Sequence, residues 1–272
     1  MAYPTLNETE WEQVNRVWDL LDQGETEKAR AAVDALLRAR PGQPDLRIVE
    51  AAVCIDEGEP EAALEARTGA ERSADPALLF HLRAVASFEL VRLETARDDA
   101  LRAVAVRPDL AEAHDLLARV YEHLGETEKA RSHAAEAQAI DPVAFAPALA
   151  VTPDEFDSLV EESLRELPEP IRKKLEEVPV LVEDLPTRQV LTAEEPPLTP
   201  DLLGLFVGRH LLERSHLDVP GAPGAIFLFR RNLLRACLDR DELKREVTTT
   251  VRHEVGHLLG LDEDDLEGWG LA

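Results

Sequence analysis

Gly24-Glu-Thr-Glu-Lys-Ala-Arg30 occurs a second time, residue for residue, at 125–131. Between the copies, Gly58 and Val91 hold related turn positions, so the turns recur at spacings of 34, 33 and 34 residues. A period of this size marks an array of small units, none of which can bury its apolar face alone. Five residues past each turn position stands a small residue, Ala29, Ala63, Ala96 or Ala130, which lets paired helices come close. Pro41, Pro76, Pro108 and Pro142 follow near the end of each second helix, where proline stops the helix from running on. The first helices carry apolar residues at compatible positions, including Trp11, Ala51, Ala84, Ala118 and Tyr121. The pattern predicts helix, turn, helix, stop, in four successive units.

These residues resemble the tetratricopeptide repeat, most clearly in Ala111 to Pro142, and the resemblance covers about residues 10–142. Val91 departs from the turn glycine, and Pro76 comes one residue late. The resemblance implies an α-solenoid whose concave surface binds a protein or peptide partner; a scaffold or dimerisation face is the other use of such an array.

Composition bounds the rest. A chain of 272 residues is long enough for two domains, read here as a repeat domain over 1–145 and a second domain over 152–272. Thirty Lys and Arg against 55 Asp and Glu leave a net charge of −25, which argues against nucleic acid or an anionic membrane as partner. The first residues, Met-Ala-Tyr-Pro-Thr-Leu-Asn-Glu-Thr-Glu, lack a basic start followed by an apolar run, so no secretory signal is expected. No apolar stretch approaches bilayer length. Cys54 and Cys237 make no framework and read as core thiols. Together these features point to the cytoplasm.

Residues 141–151 form a proline-punctuated linker whose apolar content suggests a packed junction. Thr152-Pro-Asp-Glu155 then announces a helix, with Thr as cap, Pro at the first position and Glu closing the box. Phe156, Leu159, Val160, Leu164 and Leu167 form its apolar face. A short helix over 169–177 and a strand over 178–183 follow. The Pro-, Thr- and Glu-rich residues 184–202 read as a surface loop. Strands are expected at 202–207 and 225–229, a short helix at 231–237, and a long helix that follows Arg240 or Asp241 and reaches His257. The fold class is therefore mainly α: an α-solenoid followed by a small α+β domain.

That long helix ends in Val251-Arg-His-Glu-Val-Gly-His-Leu-Leu-Gly-Leu-Asp-Glu263. His253 and His257 stand one turn apart on one face, the spacing at which two neutral imidazoles bind one Zn²⁺. Glu254 lies about a hundred degrees round the helix, within reach of a water on that ion. Val255, Leu258 and Leu259 supply an apolar face, and Gly260 supplies a helix stop. A third ligand would come from the carboxylates beyond it: Glu263 first, then Asp264, then Asp262.

In the order Leu167-Pro-Glu-Pro170, Val180-Leu-Val-Glu183, Leu203-Gly-Leu-Phe-Val-Gly208, Ile226-Phe-Leu-Phe-Arg230 and His253-Glu-Val-Gly-His-Leu-Leu-Gly260, residues 152–270 resemble the small bacterial zincin-like metallopeptidases. The resemblance implies that His253 and His257 are metal ligands, Glu254 is the general base and Glu263 is the third ligand. Relatives usually carry Asp where this chain has Glu263, so Asp264 stays open, and they often carry Tyr at Phe206. It implies a zinc-dependent peptidase whose repeats recruit or gate a protein substrate. Strand 225–229 is expected to offer its edge to an extended substrate, with His210 and His216 as candidates for oxyanion stabilisation. The rival reading is a repeat-based adaptor whose zincin-like domain is catalytically weak or inactive.

Overall fold

The computed structural model describes residues 5–66, 75–176, 178–208 and 224–258, without the side chains of Pro170, Ile171, Lys174, His257 and Leu258. The chain divides into two compact units, Met1–Ala146 and Pro147–Ala272.

The described part of the first unit is helical: α1 (Glu8–Asp22), α2 (Thr26–Ala39), α3 (Pro44–Asp56), α4 (Pro60–Ala66), α5 (Pro76–Glu89), α6 (Leu93–Val106), α7 (Ala111–His123) and α8 (Thr127–Ile140). Consecutive helices, joined by short turns, pack in pairs as a tetratricopeptide-like array. The residue closing each pair is left-handed, with φ of 69° at Gly24, 73° at Gly58, 56° at Val91 and 74° at Gly125. Each turn ties off the preceding helix in the same way. The left-handed residue's N–H reaches back three residues, as Gly24 to the Leu21 carbonyl (2.9 Å), and the next N–H reaches back five, as Glu25 to Leu20 (2.8 Å).

Val91 forms this turn without glycine: its N–H bonds the Phe88 carbonyl at 2.8 Å and the Arg92 N–H bonds Ser87 at 2.8 Å. A left-handed conformation costs an L-residue roughly 1–2 kcal/mol. Burying the Val91 side chain, which is 2% exposed, returns about the same amount. The turn therefore survives the loss of its glycine.

The conserved geometry has a small-residue seam, since Ala29, Ala63, Ala96 and Ala130 are all buried. Pro76 is not a stop at all; it is the first residue of α5, with Asp75 as its cap accepting from the Leu78 N–H at 3.0 Å. Trp11 is exposed, and α1 buries Val14 and Val17 instead. A buried carboxylate, Asp99, joins α5 to α6 through Arg83 at 3.0 Å and also meets Arg102 at 3.3 Å.

The second unit holds α9 (Pro153–Glu166), α10 (Glu169–Leu175), β1 (Val180–Glu183), α11 (Arg188–Leu191), β2 (Gly204–Val207), β3 (Ala225–Phe229), α12 (Arg230–Ala236) and α13 (Arg240–Leu258). The strands form one sheet in the order β1-β3-β2. β1 runs parallel to β3, with Val180 opposite Ile226, and β2 runs antiparallel to it, with Phe206 opposite the same Ile226. One face of the sheet and helices α9 and α13 enclose a core of Phe156, Val160, Ile226, Leu228, Leu243, Val247, Val251 and Val255. Leu149 and Val151, the end of the linker, pack against that core.

Three expectations change here. Residues 184–202 are not a plain surface loop. Thr187 caps α11, Leu191 is fully buried, and the buried Asn232 donates to the carbonyls of Pro200 (2.9 Å) and Leu202 (2.8 Å). The cap of α13 is Asp239, whose carboxylate accepts from the Glu242 N–H at 2.8 Å while Glu242 accepts from Leu238 N–H at 2.6 Å. Finally, β3 has a partner on each side and so no free edge; the antiparallel edge of the sheet is β2.

The start of α9 is as expected. Thr152 and Glu155 form a reciprocal capping box, and Glu155 also accepts from Arg240 at 3.0 Å, which ties α9 to α13. The Thr152 main-chain N–H, then Arg240 and the Thr152 hydroxyl, hold the Glu155 carboxyl down at about 2.

Two tests follow from the repeat unit. At Gly58 an added Cβ meets nothing within 4 Å, so Gly58→Ala should cost only the backbone term, about 1 kcal/mol, whereas Val91→Gly should be within about 1 kcal/mol of neutral. Urea midpoints of both variants check this; a larger loss at Gly58 would mean packing that the turn geometry hides. The second test concerns His81, whose buried Nδ1 has no hydrogen-bond partner. Burial, with Arg119 adding repulsion, pulls its imidazole down from 6.5 to about 4. Its contribution to stability is complete above pH 6.5 and lost as pH falls towards 4, up to an amount on the order of 3 kcal/mol. His81→Leu should therefore flatten the pH dependence of the unfolding midpoint between those values.

Candidate metal centre and its supporting strand

The row of α13 that faces the core runs Leu243, Val247, Thr250, Val251, Glu254, Val255, all buried. A glutamate in such a row needs a partner, because an unpaired buried carboxylate is costly. Glu254 Oε2 accepts a hydrogen bond from the main-chain N–H of Phe206 at 2.6 Å, a short, charge-assisted contact. His253 lies beside this row and is half-buried. His257 lies one turn further along the same helix, and its side chain is outside the described residues.

The N–H that Glu254 takes is one the sheet does not use. Phe229 donates to the Leu203 carbonyl at 2.9 Å, which makes 203, 205 and 207 the residues of β2 that face β3. Residues 204 and 206 therefore turn their main-chain groups away from the sheet, towards α13.

Glycines allow the close fit. A Cβ at Gly204 would overlap Thr250 Cγ2, lie 3.1 Å from the Phe227 carbonyl oxygen and come within 3.5 Å of Glu254 Cγ. Gly208 and Gly224 flank the Phe206 ring: a Cβ on Gly208 would stand 2.5 Å from Cε1, and one on Gly224 2.7 Å from Cε2. The strand pattern carried a signal for this contact, since a glycine inside a strand often marks a close approach of another element. What the sequence did not reveal was the element and the side chain that approach.

Gly260, Asp262, Glu263 and Asp264, the helix stop and the third-ligand candidates, lie outside the described residues, as do His210 and His216. Among the described residues no group of three or more His, Cys, Asp or Glu side chains could hold a metal ion. The backbone of α13 sets positions 253 and 257 one helical turn apart, the spacing that two ligands of a tetrahedral zinc site need. Cys54 and Cys237 are buried and free. Burial, followed by Glu246, Glu242 and Asp239, pushes the Cys237 thiol up to about 11, which keeps it protonated and inert.

The zincin-like metallopeptidase family model matches residues 175–271. The chain joins that region to tetratricopeptide repeats, whose model matches 13–35 and 111–136. No curated protein matches it significantly. Among solved structures, PilF of Pseudomonas aeruginosa is similar at 16% identity and a TM-score of 0.44, over 97% of this chain and 98% of PilF. A structure of MamA is similar at 20% identity and a TM-score of 0.39, over 57% of this chain and 85% of MamA. Likenesses of this level say nothing about what the chain does.

The close approach at Gly204 can be tested directly. Gly204→Ala should destabilise the second unit by roughly 1–3 kcal/mol, and adding Thr250→Ser, which removes the methyl in the way, should recover part of that loss. Additive effects in the double-mutant cycle would place the strain elsewhere.

Proposed function

We propose that the chain is a zinc-dependent peptidase, with His253, His257 and a carboxylate beyond the helix, Glu263 or else Asp264, as the metal ligands and Glu254 as the general base. The observation that carries this reading is Glu254 itself. A carboxylate set between two histidines one turn apart, buried in the core-facing row and directed to the sheet edge, has no evident structural need to be there; an apolar residue would serve the core better. The match of residues 175–271 to the zincin-like metallopeptidases supports it.

Zinc, when bound, would polarise the peptide carbonyl and acidify the attacking water. Glu254 takes a proton from that water and delivers it to the leaving amine. Its burial keeps bulk water from competing for the proton. Position 206 is phenylalanine, not tyrosine, so no hydroxyl from this position assists the oxyanion.

The repeats recruit or gate a protein or peptide substrate, a use supported by the tetratricopeptide matches. The acidic balance of the chain favours a basic partner over nucleic acid or an anionic membrane. No described helix is long and apolar enough to cross a membrane. We place the protein in the cytoplasm, supported by its two unpaired, buried cysteines.

Elemental analysis of protein purified without chelator or affinity metal should find about one zinc per chain. His253→Ala should lose the metal and any hydrolysis, whereas Glu254→Gln should keep the metal and lose hydrolysis. Unchanged turnover in Glu254→Gln would remove Glu254 from the mechanism. No zinc after reconstitution would leave the adaptor reading, in which only the repeats act.

A further inference from the structure

The first helix pair leaves open a face that the later pairs cover. A groove of about 620 Å³ runs along α1 and α2, with Gln13, Arg16 and Leu20 on one side and Lys28, Ala32 and Ala35 on the other. Counted back from the left-handed turn residue, Leu20 corresponds to Cys54, Ser87 and Tyr121, Arg16 to Leu117, and Gln13 to His114. Those counterparts face the preceding pair. Arg30 of α2 donates to Cys54 Sγ at 3.2 Å, and His114 Nε2 lies 3.1 Å from the Pro108 carbonyl oxygen just past α6. Cys54, Ser87, Leu117 and Tyr121 are buried, whereas Leu20 is half-buried and Arg16 is exposed. The groove is the surface that a preceding pair would cover, and among the described residues no helix precedes α1.

α8 carries the matching surface. The repeated heptapeptide puts Thr127 and Arg131 where α2 has Thr26 and Arg30. In the first copy both side chains cross to the next pair: the Thr26 hydroxyl donates to Asp56, and Arg30 Nε donates to Glu57 Oε1 at 2.8 Å. In the second copy Thr127 and Arg131 are exposed, with Arg131 resting on Glu128 of its own helix. Ala134 and Gln138 are exposed too, although their counterparts Val33 and Leu37 share a core with Leu46 and Val49 of α3. At the turn of the first pair, Asp22 stands where Asp56 stands in the second, and Gln23 where Glu57 stands.

We propose that the chain associates head to tail with a second copy of itself: α8 of one copy seats on the α1–α2 groove of the next as α2 seats on α3, with Thr127 facing Asp22 and Arg131 facing Gln23. Continuity identifies the occupant. Groove and helix are the two halves of an interface that the chain already makes between its own pairs, and one half is built on the same seven residues. The contact is independent of the peptidase reading. It joins two different surfaces, so it does not close on itself and can extend from copy to copy. Ala134 and Gln138 bury less apolar area than Val33 and Leu37, so the contact is weak and reversible.

The test is sedimentation velocity of the full chain from about 1 to about 500 μM, in about 0.3 M salt to screen repulsion between the acidic copies. The weight-average mass should climb with concentration, past that of a dimer. Ala35→Arg in the groove and Arg131→Glu on α8 both alter exposed positions, so each variant should keep the parent's circular dichroism and urea midpoint. Each should weaken the association at least about 10-fold. Because each variant keeps the surface that the other lacks, their equimolar mixture should form dimers and nothing longer. A parent chain that stays monomeric throughout the range would overturn the proposal and leave the groove to another part of the chain or to a different protein. Association that survives Arg131→Glu, or variants that fail to pair when mixed, would overturn the head-to-tail arrangement in favour of two grooves packed face to face.

Discussion

The distance between α13 and β2 is the constraint on which the second unit depends. A helix that presents Leu243, Val247, Val251 and Val255 to a sheet would pack there whatever strand lay beneath. The same row also carries Thr250 and Glu254, and both meet β2 at Gly204. A side chain at 204 would press on Thr250 and crowd Glu254 on the helix. The close approach also lets the buried carboxylate accept from the Phe206 N–H, which offsets its desolvation. Packing and polar satisfaction thus favour the same close approach, which the missing side chain of Gly204 allows.

The first unit solves a different problem with a similar economy of means. Its helices are short, and a buried alanine stands among larger side chains at each helix pair. Pairs form only if the reversal within each pair is tight, and the left-handed residue at each of these four turns provides that. Three of the four are glycine. The fourth, Val91, shows that the requirement is on the backbone and not on the residue type, because burial of the valine side chain offsets the conformational cost. The array ends on α8, whose buried residues are Ala130 and Ala137 and whose remaining face is mostly polar, as the last helix of a stacked array must be.

Much of this architecture was legible in the residues. The repeat period, the capping box at Thr152 and Glu155, the three strands and the helix carrying His253, Glu254 and His257 all rest on local chemistry: turn conformers, cap hydrogen bonds and alternation. What was not legible depends on which elements become neighbours. Strand 225–229 reads as a candidate edge because its sequence is that of any strand; pairing with both β1 and β2 makes it central. Residues 184–202 read as loop because their anchors are distant, with Asn232 some thirty residues further along the chain gripping Pro200 and Leu202.

The duplicated heptapeptide shows where the division lies. By itself the sequence determined the backbone of both copies: a left-handed glycine, an ion pair from Lys28 to Glu25 or Lys129 to Glu126, and a buried alanine at the seam. Only the tertiary structure decided the fate of the last residue. Arg30 reaches the next pair, bonding Glu57 Oε1 at 2.8 Å and Cys54 Sγ at 3.2 Å on and just past α3, whereas Arg131 pairs with Glu128 on its own helix and stays exposed. Turns and caps are closed within a few residues, so identical sequences repeat them. A long side chain, like the carboxylate of Glu254, takes its partner from whatever the fold brings alongside, and that is set by packing over the whole unit.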